Sequence, residues 1–105
     1  MIFIETSYYT RIIADYLSDE EQGKLQVHLI EYPDDGVIIK GTGGIRKIRW
    51  GAKGKGKSGG VRIIYYWRTA LHHIYLLNIY GKNEASDLTE KEKEQLKKFV
   101  EVWNR

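Results

Sequence analysis

Residues 61–68 and 72–80 are dense in β-branched and aromatic side chains, and only three residues separate them. Two such segments so close together close most simply as an antiparallel hairpin, so the middle of this chain is committed to sheet. A third segment of the same kind, residues 45–50, precedes them across the Lys/Gly-rich stretch 52–60, which is too flexible for a strand interior. Alternation along 45–50 places Lys47 and Arg49 on one face and Ile48 and Trp50 on the other. Along 61–68 it sets Arg62, Ile64, Tyr66 and Arg68 against Val61, Ile63, Tyr65 and Trp67. Along 72–80 it predicts Tyr75, Leu77 and Ile79 on one face, with Ile74, Leu76 and Tyr80 on the other.

The flanks change period. Ile2, Phe3 and Ile4 suit a strand, and Tyr9, Ile12, Ile13, Tyr16 and Leu17 then recur at three- and four-residue spacing, the stripe of a helix that Thr6 or Ser7 can cap. Ser18 and Glu21 have capping-box spacing for a second helix, whose predicted buried stripe is Leu25, His28, Leu29 and Tyr32 and which Pro33 ends. Thr89 and Glu92 repeat the capping box before a last helix with Leu96, Phe99, Val100 and Trp103 in its stripe. This order predicts an α+β sandwich with helices on one face of the sheet and a concave, basic second face. At 105 residues one domain, 1–105, is the expectation.

Charge is distributed as unevenly as period. Residues 36–83 hold ten of the seventeen Lys and Arg residues and no acid, whereas all fourteen Asp and Glu lie in the flanks, so a net charge of +3 conceals a strongly polarised molecule. Its middle should attract phosphate. With no cysteine, disulfides and thiolate chemistry are excluded. His28, His72 and His73 have no acid or cysteine at ligand spacing, so no metal or other cofactor is expected. Gly41, Gly43 and Gly44 are not followed by a Lys-Ser/Thr pair and read as a tight turn. The longest apolar run, residues 63–67, cannot span a bilayer, residues 1–5 do not read as a signal peptide, and the basic residues alternate on strands instead of lining an amphipathic helix. A cytoplasmic protein with no membrane partner is expected.

Gly41-Thr42-Gly43-Gly44-Ile45-Arg46-Lys47-Ile48-Arg49, Lys53-Gly54-Lys55-Gly56-Lys57, Gly60-Val61-Arg62-Ile63-Ile64-Tyr65-Tyr66 and Ile79-Tyr80-Gly81-Lys82-Asn83-Glu84 with Ser86-Asp87-Leu88 resemble, in order and spacing, the HigB branch of the RelE/ParE toxin superfamily. The resemblance implies a RelE-like microbial RNase fold of class α+β and the toxin of a bacterial type II toxin-antitoxin module. Such toxins act in the A site of the 70S ribosome, among mRNA and rRNA, and cut mRNA there; a cognate antitoxin silences them.

That reaction uses the RNA's own 2′-hydroxyl. It needs the hydroxyl held in line, a proton acceptor, a proton donor and cations around the charge of the phosphorane, roles that Lys and Arg can largely fill. Matched by motif, the resemblance implies that Lys47, Arg49, Arg62 and Lys82 surround the scissile phosphate. Arg62 is the foremost candidate, because a guanidinium binds two phosphate oxygens at once. RelE has lysine where this chain has Arg49, and has an arginine and a stacking tyrosine where it has Asn83 and Thr89. An arginine cannot serve as base. Lys47 or the loop residue Lys57 is left for that role, and Tyr80 or Tyr66 for stacking on a nucleotide. The other basic residues assigned to RNA contact are Arg46, Lys53, Lys55 and Arg68. Two alternatives stand beside the endoribonuclease: a ParE-like gyrase poison on the same fold, and a nucleic-acid-binding module without catalysis.

Overall fold

A computed structural model describes residues 1–51, 60–84 and 88–104. The chain begins with strand β1 (Ile2–Glu5), helix α1 (Ser7–Ile12), a 3-10 turn (Ile13–Asp15) and helix α2 (Asp19–Glu31). A short strand β2 (Val37–Ile38) leads to β3 (Arg46–Trp50), β4 (Val61–Arg68) and β5 (His73–Gly81), and helix α3 (Glu90–Trp103) follows. Among the described residues the sheet has the order β1-β5-β4-β3-β2. Strands β3, β4 and β5 form the antiparallel meander; β1 joins β5 in parallel and β2 joins β3 antiparallel. The N-terminal strand is as expected from Ile2, Phe3 and Ile4, and β2 is an addition. No helix among the described residues is long and apolar enough to cross a membrane.

Both capping boxes form as the sequence predicts. Ser18 accepts from the Glu21 backbone N–H while Glu21 accepts from Ser18, and Thr89 and Glu92 repeat the exchange. The hydrogen bond from the Thr89 backbone N–H, and after it the Thr89 side chain, hold the Glu92 carboxyl below its ordinary range. Thr6 caps α1 by accepting from the Tyr9 N–H. The first helical stripe is split, because the α-helix tightens into the 3-10 turn at Ile13 before Leu17 is buried. In α2, Leu25 and Leu29 are fully buried, each contributing roughly 1.5–3 kcal/mol. Tyr32 ends the helix with half its surface exposed, packing its ring on His28 instead of entering the core.

The sheet carries a core on each side, which corrects the expectation of helices on one face only. On the first face Tyr9, Ile13, Leu17, Leu25 and Leu29 from the helical pair pack against Ile48, Val61, Ile63, Tyr65, Ile74, Leu76 and Ile79. On the second, Val100, Leu96 and Trp103 of α3 cover Ile45, Ile64, Tyr66, Tyr75 and Leu77. The predicted alternation along β5 also fails at one point. A register irregularity places Tyr65 opposite Leu76 but Ile64 opposite Asn78, so an extra residue is accommodated near Leu77. Ile79 therefore shares the first face with Ile74 and Leu76, and Tyr80 turns to the second face with Tyr75 and Leu77.

Two local devices fix the entry to β3. Thr42 is fully buried, donating to the Ile39 carbonyl (2.7 Å) and accepting from the Ile45 N–H (3.1 Å), with Gly41, Gly43 and Gly44 at positive φ around it. Behind it, the buried Tyr65 hydroxyl donates to the Pro33 carbonyl (2.8 Å) and accepts from the Gly36 N–H (2.9 Å). Burial raises the Tyr65 pKa above its ordinary value. Tyr65→Phe leaves the buried Gly36 donor without its acceptor and should cost about 1–3 kcal/mol, read as a lower urea midpoint. An unchanged midpoint would mean that this latch holds nothing.

Candidate phosphate site on the second sheet face

The uncovered end of the second face carries most of the predicted cluster. Pairing sets Arg49 directly opposite Arg62, and Arg62 directly opposite Tyr80, so these three residues form one row across β3, β4 and β5. Lys47 lies on the same side of β3, two residues from Arg49, a separation of about 7 Å along a strand. The bulge in β5 is what brings Tyr80 into this row.

Two guanidiniums side by side in a pairing register repel one another, which destabilises a sheet by roughly 0.2–1 kcal/mol. Among the described residues no carboxylate is paired with Arg49 or Arg62. Arg62 makes only a long contact, 3.4 Å, to the Val61 carbonyl of its own strand. A phosphate oxygen placed between the two would convert the repulsion into charge-assisted hydrogen bonds.

A cleft of about 220 Å³ adjoins the row, lined by Lys47, Ile64 and Tyr80 from the sheet, Val37, Ile38 and Ile39 around β2, Leu88 ahead of α3 and Lys93 on it. Lys93 lies in one of the flanks that carry all the acids, and it comes to Lys47's cleft because α3 crosses the second face. The spacing from the Thr89 cap, which puts Lys93 in the first turn of α3, was the only local signal for it. An open hollow of about 460 Å³ runs past Lys47 on its other side to Ile48, Arg49 and Asp35.

Lys82 follows the end of β5 in an exposed turn over residues 81–84. Its N–H reaches the Gly60 carbonyl at 3.4 Å, which puts the turn beside the start of β4 and one residue from Val61. Glu84 closes this turn. Its N–H donates to the Gly81 carbonyl (3.1 Å), and one carboxylate oxygen accepts from the Gly81 N–H (2.7 Å). The other oxygen accepts from the Tyr16 hydroxyl (2.9 Å). Burial and then the Glu84 carboxylate push the Tyr16 pKa up to about 12, so at neutral pH the phenol is a donor.

Three other predicted RNA contacts are not brought to this patch. Arg46 alternates onto the first face, where its Nη1 donates to the carbonyls of Asp34 (3.0 Å) and Gly36 (2.8 Å), tying down the turn that Tyr65 also holds. Tyr66 is buried at 7% exposure beneath α3, stacked on Trp103 and hydrogen-bonded to Asn104. Arg68 shares the face of Arg62 but lies six residues along the strand, roughly 20 Å away, where it donates to the Tyr75 hydroxyl (3.1 Å). Lys53, Lys55 and Lys57 lie outside the described residues. The patch therefore consists of Lys47, Arg49, Arg62 and Tyr80, with Lys82 in the adjoining turn and Lys93 across the cleft.

The model of one protein family, described as the RelE toxin of the RelE/RelB toxin-antitoxin system, matches residues 10–105 of the chain. The matched span takes in every element of the patch.

Proposed function

Because the chain belongs to the RelE toxin family, the toxin half of a toxin-antitoxin system, we propose that it is a ribosome-dependent mRNA endonuclease whose scissile phosphate sits on the Arg49–Arg62 row. An antitoxin partner follows from the family; ribosome, mRNA and rRNA as partners belong to the proposal, as do the HigB-like branch and the reading of residues 1–105 as one toxin domain. The observation that carries the proposal is the pair of guanidiniums in direct register, without a carboxylate partner among the described residues, facing the same way as Lys47 and Tyr80.

The chemistry is transesterification. The 2′-oxygen bonds to phosphorus and the bond to the 5′-oxygen breaks, leaving a 2′,3′-cyclic phosphate and a 5′-hydroxyl. The 2′-hydroxyl proton passes to a base and the leaving oxygen takes one from an acid. Arg62 and Arg49 hold the non-bridging oxygens as negative charge accumulates, which is where a preorganised donor accelerates the reaction most. In this reading Lys47, two residues from Arg49, receives the 2′-hydroxyl proton, with Lys57 the competing candidate. Lys82 adds positive charge from the turn. Half-buried Tyr80, in the same row and lining the cleft, offers a ring on which a neighbouring base can stack.

Induction of the chain in bacteria with mapping of RNA 5′ ends tests this reading. Codon-phased cuts inside translated regions are the expected result. Gyrase-linked DNA breaks in place of RNA cuts would overturn it in favour of a gyrase poison, and intact growth with neither product would remove both toxin readings.

A further inference from the structure

The geometry points to Glu84, held by Tyr16, as a positioning residue that fixes the turn carrying Lys82. This rests on the assignment of Lys82 to the phosphate site. Glu84 is the first acid after the acid-free stretch, and each of its carboxylate oxygens has a different employer. One accepts from the Gly81 N–H at the end of β5, at 2.7 Å, and the other from the Tyr16 hydroxyl, at 2.9 Å, 68 residues away in sequence. Tyr16 caps the 3-10 turn that follows α1, so the carboxylate straps the helical pair on the first face to the end of the strand leading into the site.

The fit at Gly81 shows how closely the carboxylate is seated. A Cβ added there would stand 2.6 Å from Glu84 Oε1, so any larger residue displaces the carboxylate. Lys82 lies between these two residues and, among the described residues, is otherwise held by one long backbone contact to Gly60, at 3.4 Å. A surface ion on a flexible stem gains little from being near a phosphate unless its backbone is fixed, and misplacement of a catalytic group by about 1 Å can cost a hundredfold in rate. Glu84 supplies that fixing through its two oxygens, one held by Gly81 and the other by Tyr16.

The test is single-turnover cleavage of ribosome-bound mRNA by Tyr16→Phe and Gly81→Ala, each alone and combined with Lys82→Ala. Tyr16→Phe removes one donor and no charge; Gly81→Ala displaces the carboxylate without deleting it. Each should lower the saturating rate by about tenfold to a hundredfold with little change in half-saturating ribosome concentration, and neither should lower it further in the Lys82→Ala background. A merely structural strap would lower the melting temperature and slow both backgrounds equally, which would overturn the inference. Lys82→Ala slow while Tyr16→Phe and Gly81→Ala stay at full rate overturns the strap alone. Lys82→Ala at full rate overturns the assignment of Lys82, and the strap with it.

Discussion

Arg62→Ala should lower the single-turnover cleavage rate by about a hundredfold to a thousandfold, the usual cost of deleting one preorganised donor at a developing oxyanion. The same change should leave the fold intact and raise its stability slightly, by roughly 0.2–1 kcal/mol, because it removes one of two like charges in direct cross-strand register with Arg49. Opposite signs in activity and stability are the signature of a residue kept for chemistry. Arg62→Lys should relieve little of the repulsion and restore only part of the rate, since an ammonium keeps the charge but not the two-pronged grip. Cleavage on programmed ribosomes and urea unfolding measure the two quantities on the same protein. An Arg62→Ala protein that is fully active, or one that is inactive because it is unfolded, would remove the residue from the site.

The second large effect concerns α3, which packs on the sheet face opposite the helical pair. Trp103 stacks on Tyr75 with ring centroids 4.3 Å apart and an interplanar angle of 8°, and on Tyr66 at 5.6 Å; Phe99 stacks on its other flank at 5.9 Å. Trp103→Ala should cost about 3 kcal/mol, the low end for losing a large aromatic from a core because Trp103 is only part-buried. That is a large share of the stability of a small domain. The end of α3 should then fray, exposing Tyr66 and losing the hydrogen bond between its hydroxyl and the Asn104 amide (2.7 Å). A lower urea midpoint together with faster amide exchange confined first to α3 and the facing ends of β4 and β5 would show this. A loss below about 1 kcal/mol would mean that the second core contributes little.

Much of this arrangement is legible in the residues. Ser18 with Glu21, and Thr89 with Glu92, announce helix starts because the reciprocal hydrogen bonds need only local geometry. Lys47 and Arg49 share a face because a strand alternates, and Arg62 joins them once the two strands pair. The face of Tyr80 is not legible in the same way. One extra residue in β5 reverses the alternation beyond Leu77, and nothing in 72–80 marks where a bulge falls.

The placement of α3 had a signal that alternation alone undervalues. Ile64, Tyr66, Tyr75 and Leu77 make the second face as apolar as the first over half of its length, and a sheet apolar on both faces requires cover on both. Lys47, Arg49 and Arg62 occupy the end that α3 leaves open. β1 is legible as a strand, but its place in the sheet is not, for another reason. Its parallel partner β5 lies some seventy residues away, and four residues cannot declare their neighbour. Glu84 looked like one flank acid among fourteen, because its role depends on Tyr16 arriving from the other end of the chain.

The central claim is that the RNA's own 2′-hydroxyl is the nucleophile and that the ribosome presents it to the Arg49–Arg62 row. The most direct measurement uses purified protein, programmed ribosomes and two mRNAs that differ only by a 2′-deoxy substitution at the nucleotide preceding the scissile bond. The account predicts that the all-ribose message is cut on the ribosome, with a cyclic phosphate on the upstream fragment and little cutting of the free RNA, and that the deoxy message stays whole. Equal cutting of the deoxy message, or equal cutting of both messages free in solution, would contradict it.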